Sequence, residues 1–228
     1  AGGNTLMPDQ KPGNRLPVII VQIVIFLAIG AFLGYQFQKR EMADPKVRMA
    51  VAHEALVKGD DSTAFRLYSG LAEAGNARAQ YWLGDMYEFG YGVKKDPAEA
   101  LSWMKKAADQ GLATAQGRLG EMYFTGHETV QDFAAARQWF QKAASQGNAV
   151  AERRLGQMEE GGLGGAADPI QAYVLYEKAV LAGDGYATRL RDDLLKRLTP
   201  EQVTEAQALA KKEIEKAKSA TPKADTKK

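Results

Sequence analysis

The pattern of apolar and polar positions divides the chain into two unlike parts. Residues 16–35 read LPVIIVQIVIFLAIGAFLGY, with no charge and one strongly polar side chain, Gln22. A helix of that length rises about 30 Å, the thickness of a bilayer's hydrocarbon layer. Arg15 stands before it and Lys39 and Arg40 after it, with Tyr35 at interface depth. The pattern predicts one transmembrane helix over residues 16–37, retained as an anchor because no small-x-small cleavage site ends it. Residues 1–15, broken by Gly2, Gly3, Pro8, Pro12 and Gly13, read as a flexible tail.

From residue 45 to 216 the pattern changes to helical amphipathicity, with glycines between helix-length segments and no β-branched runs. This part repeats itself. Leu83, Leu119 and Leu155 correspond, as do Gly84, Gly120 and Gly156, and so do Asp96, Asp132 and Asp168. Ala100, Ala136 and Ala172, then Lys106, Lys142 and Lys178, then Gly111, Gly147 and Gly183 keep the same register. Each step is 36 residues without a gap, a period that belongs to helical repeat architectures.

One unit can be built from elementary rules. Ala79, Leu83, Met86 and Tyr87 make one apolar stripe of a first helix. Ala79 and Gly84 are small and let a partner helix come close. Gly90 and Gly92 supply a turn, and Asp96-Pro97-x-Glu99 has the form of an N-cap, a first-turn proline and an N3 carboxylate. Ala100, Trp103, Ala107 and Ala108 then share a face of a second helix, which Gly111 ends. Trp103 and Trp139 are therefore expected to be largely buried between hairpins. A hairpin of this kind cannot bury its own surface, so neighbours must stack.

Composition removes most chemistry. There is no cysteine, which excludes disulfides, thiolate metal sites and cysteine nucleophiles. A net charge of +2 gives no electrostatic footprint for nucleic acid. His53 and His127 are far apart in the repeat register, and no nucleotide-loop, zinc-protease or nucleophile-elbow motif occurs. The glycine-rich run 161–165 has no strand before it and reads as a turn. Asp96, Asp132 and Asp168 are each explained as helix caps. The expectation is no catalytic residue, no metal, no cofactor and no small-molecule substrate.

The run Ala79-x-x-x-Leu83-Gly84-x-x-Tyr87-x-x-Gly90-x-Gly92-Val93, followed by Asp96, Ala100, Trp103, Lys106-Ala107-Ala108 and Gly111, resembles the Sel1-like repeat family, relatives of the tetratricopeptide repeats. The second unit keeps the pattern but has Glu128 for the second turn glycine. The third has Glu159 for the tyrosine, Leu175 for the tryptophan and Val180 for an alanine. The resemblance implies an all-α solenoid of helical hairpins, here preceded by the single transmembrane helix. Its parts are a degenerate repeat at 45–76, repeats at 77–111, 112–147 and 148–183, and capping helices at 184–216. In the last part Thr199, Pro200 and Gln202 form a capping box. The Lys-rich residues 217–228 read as a disordered, solvated tail.

A solenoid of this kind implies binding of proteins on an extended face made by successive first helices. Positions there that do not maintain the repeat are the candidates: Trp82, Arg118 and Arg154 at one, Asp85, Glu121 and Gln157 at another. For Trp82 a second reading stands beside this, tucked against Tyr81 and the preceding helix. Within the span, Gly30 and Gly34 have the small-x-x-x-small spacing of close helix contacts, and Gln22 on a neighbouring face wants a polar partner. Together these point to a scaffold or accessory subunit of a larger membrane complex, with an integral membrane protein and the lipid bilayer as partners. The alternative is an envelope regulator that binds reversibly. The basic residues flanking the span slightly favour a cytoplasmic solenoid. The resemblance to exported bacterial proteins favours the inner membrane with the solenoid in the periplasm.

Overall fold

The structure, a computed structural model, describes residues 44–220. The expected tail at 1–15, the span at 16–37 with Gln22, Gly30 and Gly34, and residues 221–228 lie outside them. Among the described residues no helix is long and apolar enough to cross a membrane.

Among the described residues ten helices follow one another: α1 (Pro45–Val57), α2 (Asp61–Glu73), α3 (Ala77–Phe89), α4 (Pro97–Asp109), α5 (Ala113–Thr125), α6 (Phe133–Ala144), α7 (Ala149–Gly161), α8 (Pro169–Leu181), α9 (Gly185–Leu195) and α10 (Pro200–Ala220). The chain divides into two compact units, Ala1–Ala50 and Val51–Lys228, and the boundary falls inside α1. In the first, Asp44 accepts a hydrogen bond from the Lys46 N–H at 2.8 Å and so starts α1. The remainder of this section concerns the second.

Pairing follows the 36-residue period. α3 packs on α4, α5 on α6 and α7 on α8, and each hairpin meets the next through α2–α3, α4–α5 and α6–α7. The helix starts are fixed by side chains. Asp96 accepts from the N–H of Ala98 and Glu99, Asp132 from Ala135, and Asp168 from Ile170 and Gln171. These aspartates satisfy amides that a helix cannot satisfy itself. Asn76 and Asn148 do the same for α3 and α7.

The hairpins close by a small-into-large fit. A Cβ added at Gly84 would lie 3.2 Å from the Ala100 carbonyl and 3.3 Å from Met104. At Gly120 it would lie 2.7 Å from the Phe140 ring, and at Gly156, 2.5 Å from the Tyr176 ring. Met104, Phe140 and Tyr176 occupy one repeat position and are all fully buried, as is Tyr68 one period earlier. The tryptophans are not this plug, although Trp139 packs against the cluster of Met104, Leu119 and Met122 between the first two hairpins. Trp103 and Trp139 sit one residue before the buried position and remain half-buried, with Lys106 Nζ 3.6 Å and Lys142 Nζ 3.8 Å from their ring centroids. Met104 and Phe140 fill the space over the glycine, so the indoles are left at the rim, where a lysine covers them.

Hairpins are tied to each other by glutamines. Buried Gln80 donates to the Ala72 carbonyl at the end of α2 and accepts from Gln110 after α4. Gln116 and Gln146 repeat this one period on, with Gln116 donating to Ala108. In the third repeat Glu152 replaces the glutamine. It is buried, its Oε2 has no hydrogen-bond partner, and burial raises its pKa while Lys178 opposes the rise.

At the far end α9 and α10 both pack on α8. Asp184 caps α9, and Thr199 and Gln202 exchange hydrogen bonds at the start of α10. Ala206 and Ala210 are buried by this packing. α10 continues to Ala220, so residues 217–220 of the expected disordered tail are helical. Alanine and lysine extend a helix as readily as the residues before them.

Candidate functional site

The 36-residue register places the same turns of α3, α5, α7 and α9 on one face. Two adjoining depressions lie along it. One, of about 400 Å³, is lined by Arg78, Tyr81, Trp82, Leu112 and Thr114. The next, of about 370 Å³, shares Tyr81 and Thr114 and adds Gly117, Arg118, Glu121, Asn148, Val150 and Arg154. A third of about 400 Å³ lies against Gly185, Tyr186 and Arg189 of α9. Arg78, Thr114, Val150 and Tyr186 are one repeat position, and Tyr81 and Gly117 are another. Gly117 is where the middle hairpin lacks a side chain that its neighbour carries. An added Cβ there would meet only Asn148, at 3.5 Å, so nothing structural requires the glycine.

All six expected partner-binding residues lie on this face, and all are half-buried rather than freely exposed. Trp82 follows the second of its two readings. Its ring lies 5.5 Å from Tyr81, stacks on Tyr68 at 6.0 Å and meets His53 at 5.5 Å, while its edge still lines the first depression. The arginines pair across hairpins. Arg118 is bound to Glu88 and lies 4.0 Å from Asp85. Arg154 reaches Glu121 at 2.5 Å and Gln157 at 3.0 Å. The two candidate positions therefore form a ladder in which each arginine is held by the carboxylates of the preceding hairpin. The long side chains are fixed before any partner arrives, which lowers the entropy lost on binding.

Sequence reasoning missed Tyr81, Gly117, Glu88 and Asn148. Gly117 could have been found by reading position 81 across the repeats, where tyrosine, glycine and arginine alternate. Glu88 gave no such signal, because Phe124 and Glu160 at its repeat position share no chemistry with each other.

The electrostatics of the groove are uneven. Asp85 is pushed up to about 6, first by burial, with Arg118 pulling it down and Glu88 pushing it up. Tyr81 is pushed up to about 12, mainly by burial and by the Asp85 carboxylate. Arg118 gives its close contact to Glu88, and the more distant Asp85 gains too little from it to offset desolvation. Among the described residues no group of three or more histidines and carboxylates could hold a metal ion.

The Sel1 repeat family model matches residues 47–76, 77–112, 113–148 and 149–184. No curated protein matches the chain. Among solved structures, a Sel1 repeat protein from Oxalobacter formigenes is 28% identical with a TM-score of 0.64, over 75% of this chain and 73% of that one. A protective antigen of uropathogenic Escherichia coli with an SLR fold is 25% identical with a TM-score of 0.48, over 84% and 52%. Cysteine-rich protein B of Helicobacter pylori is 21% identical with a TM-score of 0.47, over 57% and 94%. Proteins built from these repeats are protein–protein interaction scaffolds, and the fold is a non-enzymatic one. With four repeat matches over more than half its length, in the 36-residue register that its hairpins follow, the chain belongs to the Sel1 repeat family.

Proposed function

We propose that the chain is a membrane-anchored scaffold, an accessory subunit of a larger membrane protein complex, that holds an extramembrane segment of a partner in the first-helix groove. The observation that carries the groove is the pair of adjoining depressions over Gly117, walled by half-buried Tyr81, Trp82 and the Arg118 and Arg154 ladder. Aromatic and arginine side chains in semi-enclosed, pre-ordered settings are those that anchor interfaces. Asp85, Glu121 and Gln157 hold the arginines and set the polar pattern a partner must match.

The anchor rests on the uncharged residues 16–35, long enough to span a bilayer. Gly30 and Gly34 are the surface on which a second membrane helix packs, with Gln22 bonded to a polar group of that neighbour. The membrane is the bacterial inner membrane, and the solenoid faces the periplasm.

Affinity purification from native membranes in mild detergent tests this reading. A co-purifying integral membrane protein at constant stoichiometry supports the subunit role, and a sub-stoichiometric, variable partner supports an envelope regulator instead. Gly30→Leu with Gly34→Leu keeps the chain in the membrane but lowers partner recovery. Undiminished recovery makes the span a passive tether. Protease added to intact spheroplasts removes the solenoid, and protection until lysis places it in the cytoplasm.

A further inference from the structure

The same two helix positions come together at three successive junctions of the solenoid, and each junction fills them differently. The pairs are Tyr81 with Leu112, Gly117 with Asn148, and Arg153 with Asp184, always 31 residues apart. At the first junction Tyr81 and Leu112 pack on one hydrophobic cluster and line one depression. At the third, Arg153 Nε donates to Asp184 Oδ2 at 2.7 Å, and both side chains are largely buried. The middle junction has a glycine, so no side chain projects from this position of α5 towards Asn148. The chain supplies its own contact on either side and leaves the middle one open.

Asn148 is held facing this gap. Its Oδ1 accepts the Ala151 N–H at 3.0 Å, the cap that starts α7, and this fixes which end of the amide points where. Nδ2 is left towards α5, 3.5 Å from where a Cβ of residue 117 would stand. Among the described residues its one hydrogen bond goes to the Ala113 carbonyl at 3.5 Å, long for an amide donor that carries two N–H. Arg154 Nε, on the same depression, is buried without a hydrogen-bond partner among the described residues. The one carboxylate among the described lining residues, Glu121, is already held by Arg154. The junction is left with donor capacity.

We propose that the middle junction takes an extended segment of the partner, which gives a main-chain carbonyl to Asn148 Nδ2 and lays an apolar side chain over Gly117. This deepens the groove reading and rests on it. The segment is extended because a carbonyl inside a helix is already bonded within that helix. The acceptor is a neutral carbonyl rather than a carboxylate. Arg118 and Arg154 are committed to Glu88 and Glu121, with Asp85 4.0 Å from Arg118, so a further anion would join carboxylates already in excess. The side chain is apolar because Tyr81 and exposed Val150 wall the space of about 370 Å³. The partner thus stands where the flanking junctions have Tyr81 and Arg153.

The donor of Asn148 can be removed without loss of the cap. Aspartate and asparagine cap helices about equally well, and Asp184 starts α9 from the same repeat position. In Asn148→Asp the group aimed at the gap becomes an acceptor, which repels a carbonyl. Asn76 is the control. Its Oδ1 caps α3 as that of Asn148 caps α7, and it lines neither depression.

The probe is N-acetyl-leucine-N′-methylamide, a neutral leucine with a carbonyl on each side, added at millimolar concentration to the 228-residue chain in mild detergent. Nitrogen–proton correlation spectra read the Asn148 side-chain amide and the backbone amides of Gly117 and Val150. All three signals are expected to move in the wild type. Read at Gly117 and Val150, Asn148→Asp binds the probe about tenfold more weakly at an unchanged melting temperature, and Asn76→Asp binds it as the wild type does. Equal binding by Asn148→Asp and the wild type overturns the role of Asn148. Tighter binding of N-acetyl-leucine, which carries a carboxylate, overturns the neutral acceptor. Wild-type signals of Gly117 and Val150 that do not move overturn the proposal outright. The groove reading is judged apart from these, by recovery of the co-purifying partner with Gly117→Leu. Loss of the partner there, together with failure of the probe, keeps the groove and removes this contact.

Discussion

Glu152 shows how a single residue departs from the plan of its own chain. Gln80 and Gln116 each give an N–H to a carbonyl at the end of the preceding helix, at 3.1 and 3.2 Å. The third repeat offers the corresponding Ala144 carbonyl an ionisable oxygen, and an ionised carboxylate is an acceptor only. Glu152→Gln restores the donor. It stabilises the chain by about 1 kcal/mol at pH 7.5, measured by denaturant unfolding. The sign of the pH dependence follows from burial, which raises the Glu152 pKa. The wild type gains stability as pH falls, because the folded state takes up the proton more readily, and the glutamine variant does not. The difference between the two is therefore largest at neutral pH and shrinks towards pH 4. A variant that is no more stable at pH 7.5 removes this account of the repeat junction.

The same scale shows why some residues were legible and others were not. The capping aspartates could be read because a cap needs one of few side chains next to a helix start, and three of them recur in register. The buried plug was not legible, because Tyr68, Met104, Phe140 and Tyr176 agree in bulk and differ in identity. The recurring tryptophan drew the inference instead, although its repeated role is at the rim under a lysine. Phe140→Ala is thus expected to cost about 3–5 kcal/mol. Trp139→Ala costs less, about 2–3 kcal/mol, since the partly buried indole loses its packing on the Met104, Leu119 and Met122 cluster together with its lysine contact. Equal losses for the two would return the tryptophan to the core.

At the scale of the element, α5 carries two glycines three residues apart with opposite meanings. Gly120 faces the Phe140 ring, where an added Cβ would lie 2.7 Å away, and Gly117 faces the groove. Helix propensity alone makes each of them about 1 kcal/mol worse than alanine. Gly117→Ala is expected to recover that amount. Gly120→Ala is expected to lose about 1–3 kcal/mol instead, because the ring must move within a packed hairpin. Thermal unfolding of both variants separates the two effects, and a gain at both positions contradicts the close fit of α5 on α6. The recurrence of Gly84, Gly120 and Gly156 made the close-packed glycine readable. Gly117 occurs once, and its meaning appears only when Tyr81 and Asn148 are seen on either side of it.

For the whole molecule, period was the strongest signal. A 36-residue step with no gap specified helix order, hairpin pairing and the shared face of the first helices, since each follows from local rules applied four times. The state of the groove side chains was not contained in that step. Arg118 and Arg154 pair with Glu88 and Glu121 of the preceding hairpin, 30 and 33 residues earlier, and pairings between units depend on how one hairpin rests on the next. The account of function joins this pre-ordered groove to an apolar segment long enough to hold the chain in a bilayer. Two modest contacts on one chain reinforce each other through effective concentration, so weakening either one lowers partner recovery.

The groove is tested most directly by filling it. Gly117→Leu places a side chain in the depression of about 370 Å³, from a helix position where an added Cβ meets nothing closer than Asn148 at 3.5 Å. Quantitative affinity purification of this variant and the wild type from native membranes is the measurement. The account predicts that Gly117→Leu keeps at least wild-type helicity and thermal stability, stays in the membrane fraction and loses at least about tenfold of the co-purifying partner, a change of about 1.4 kcal/mol. Full recovery of the partner by a folded Gly117→Leu chain would contradict the groove as the binding surface.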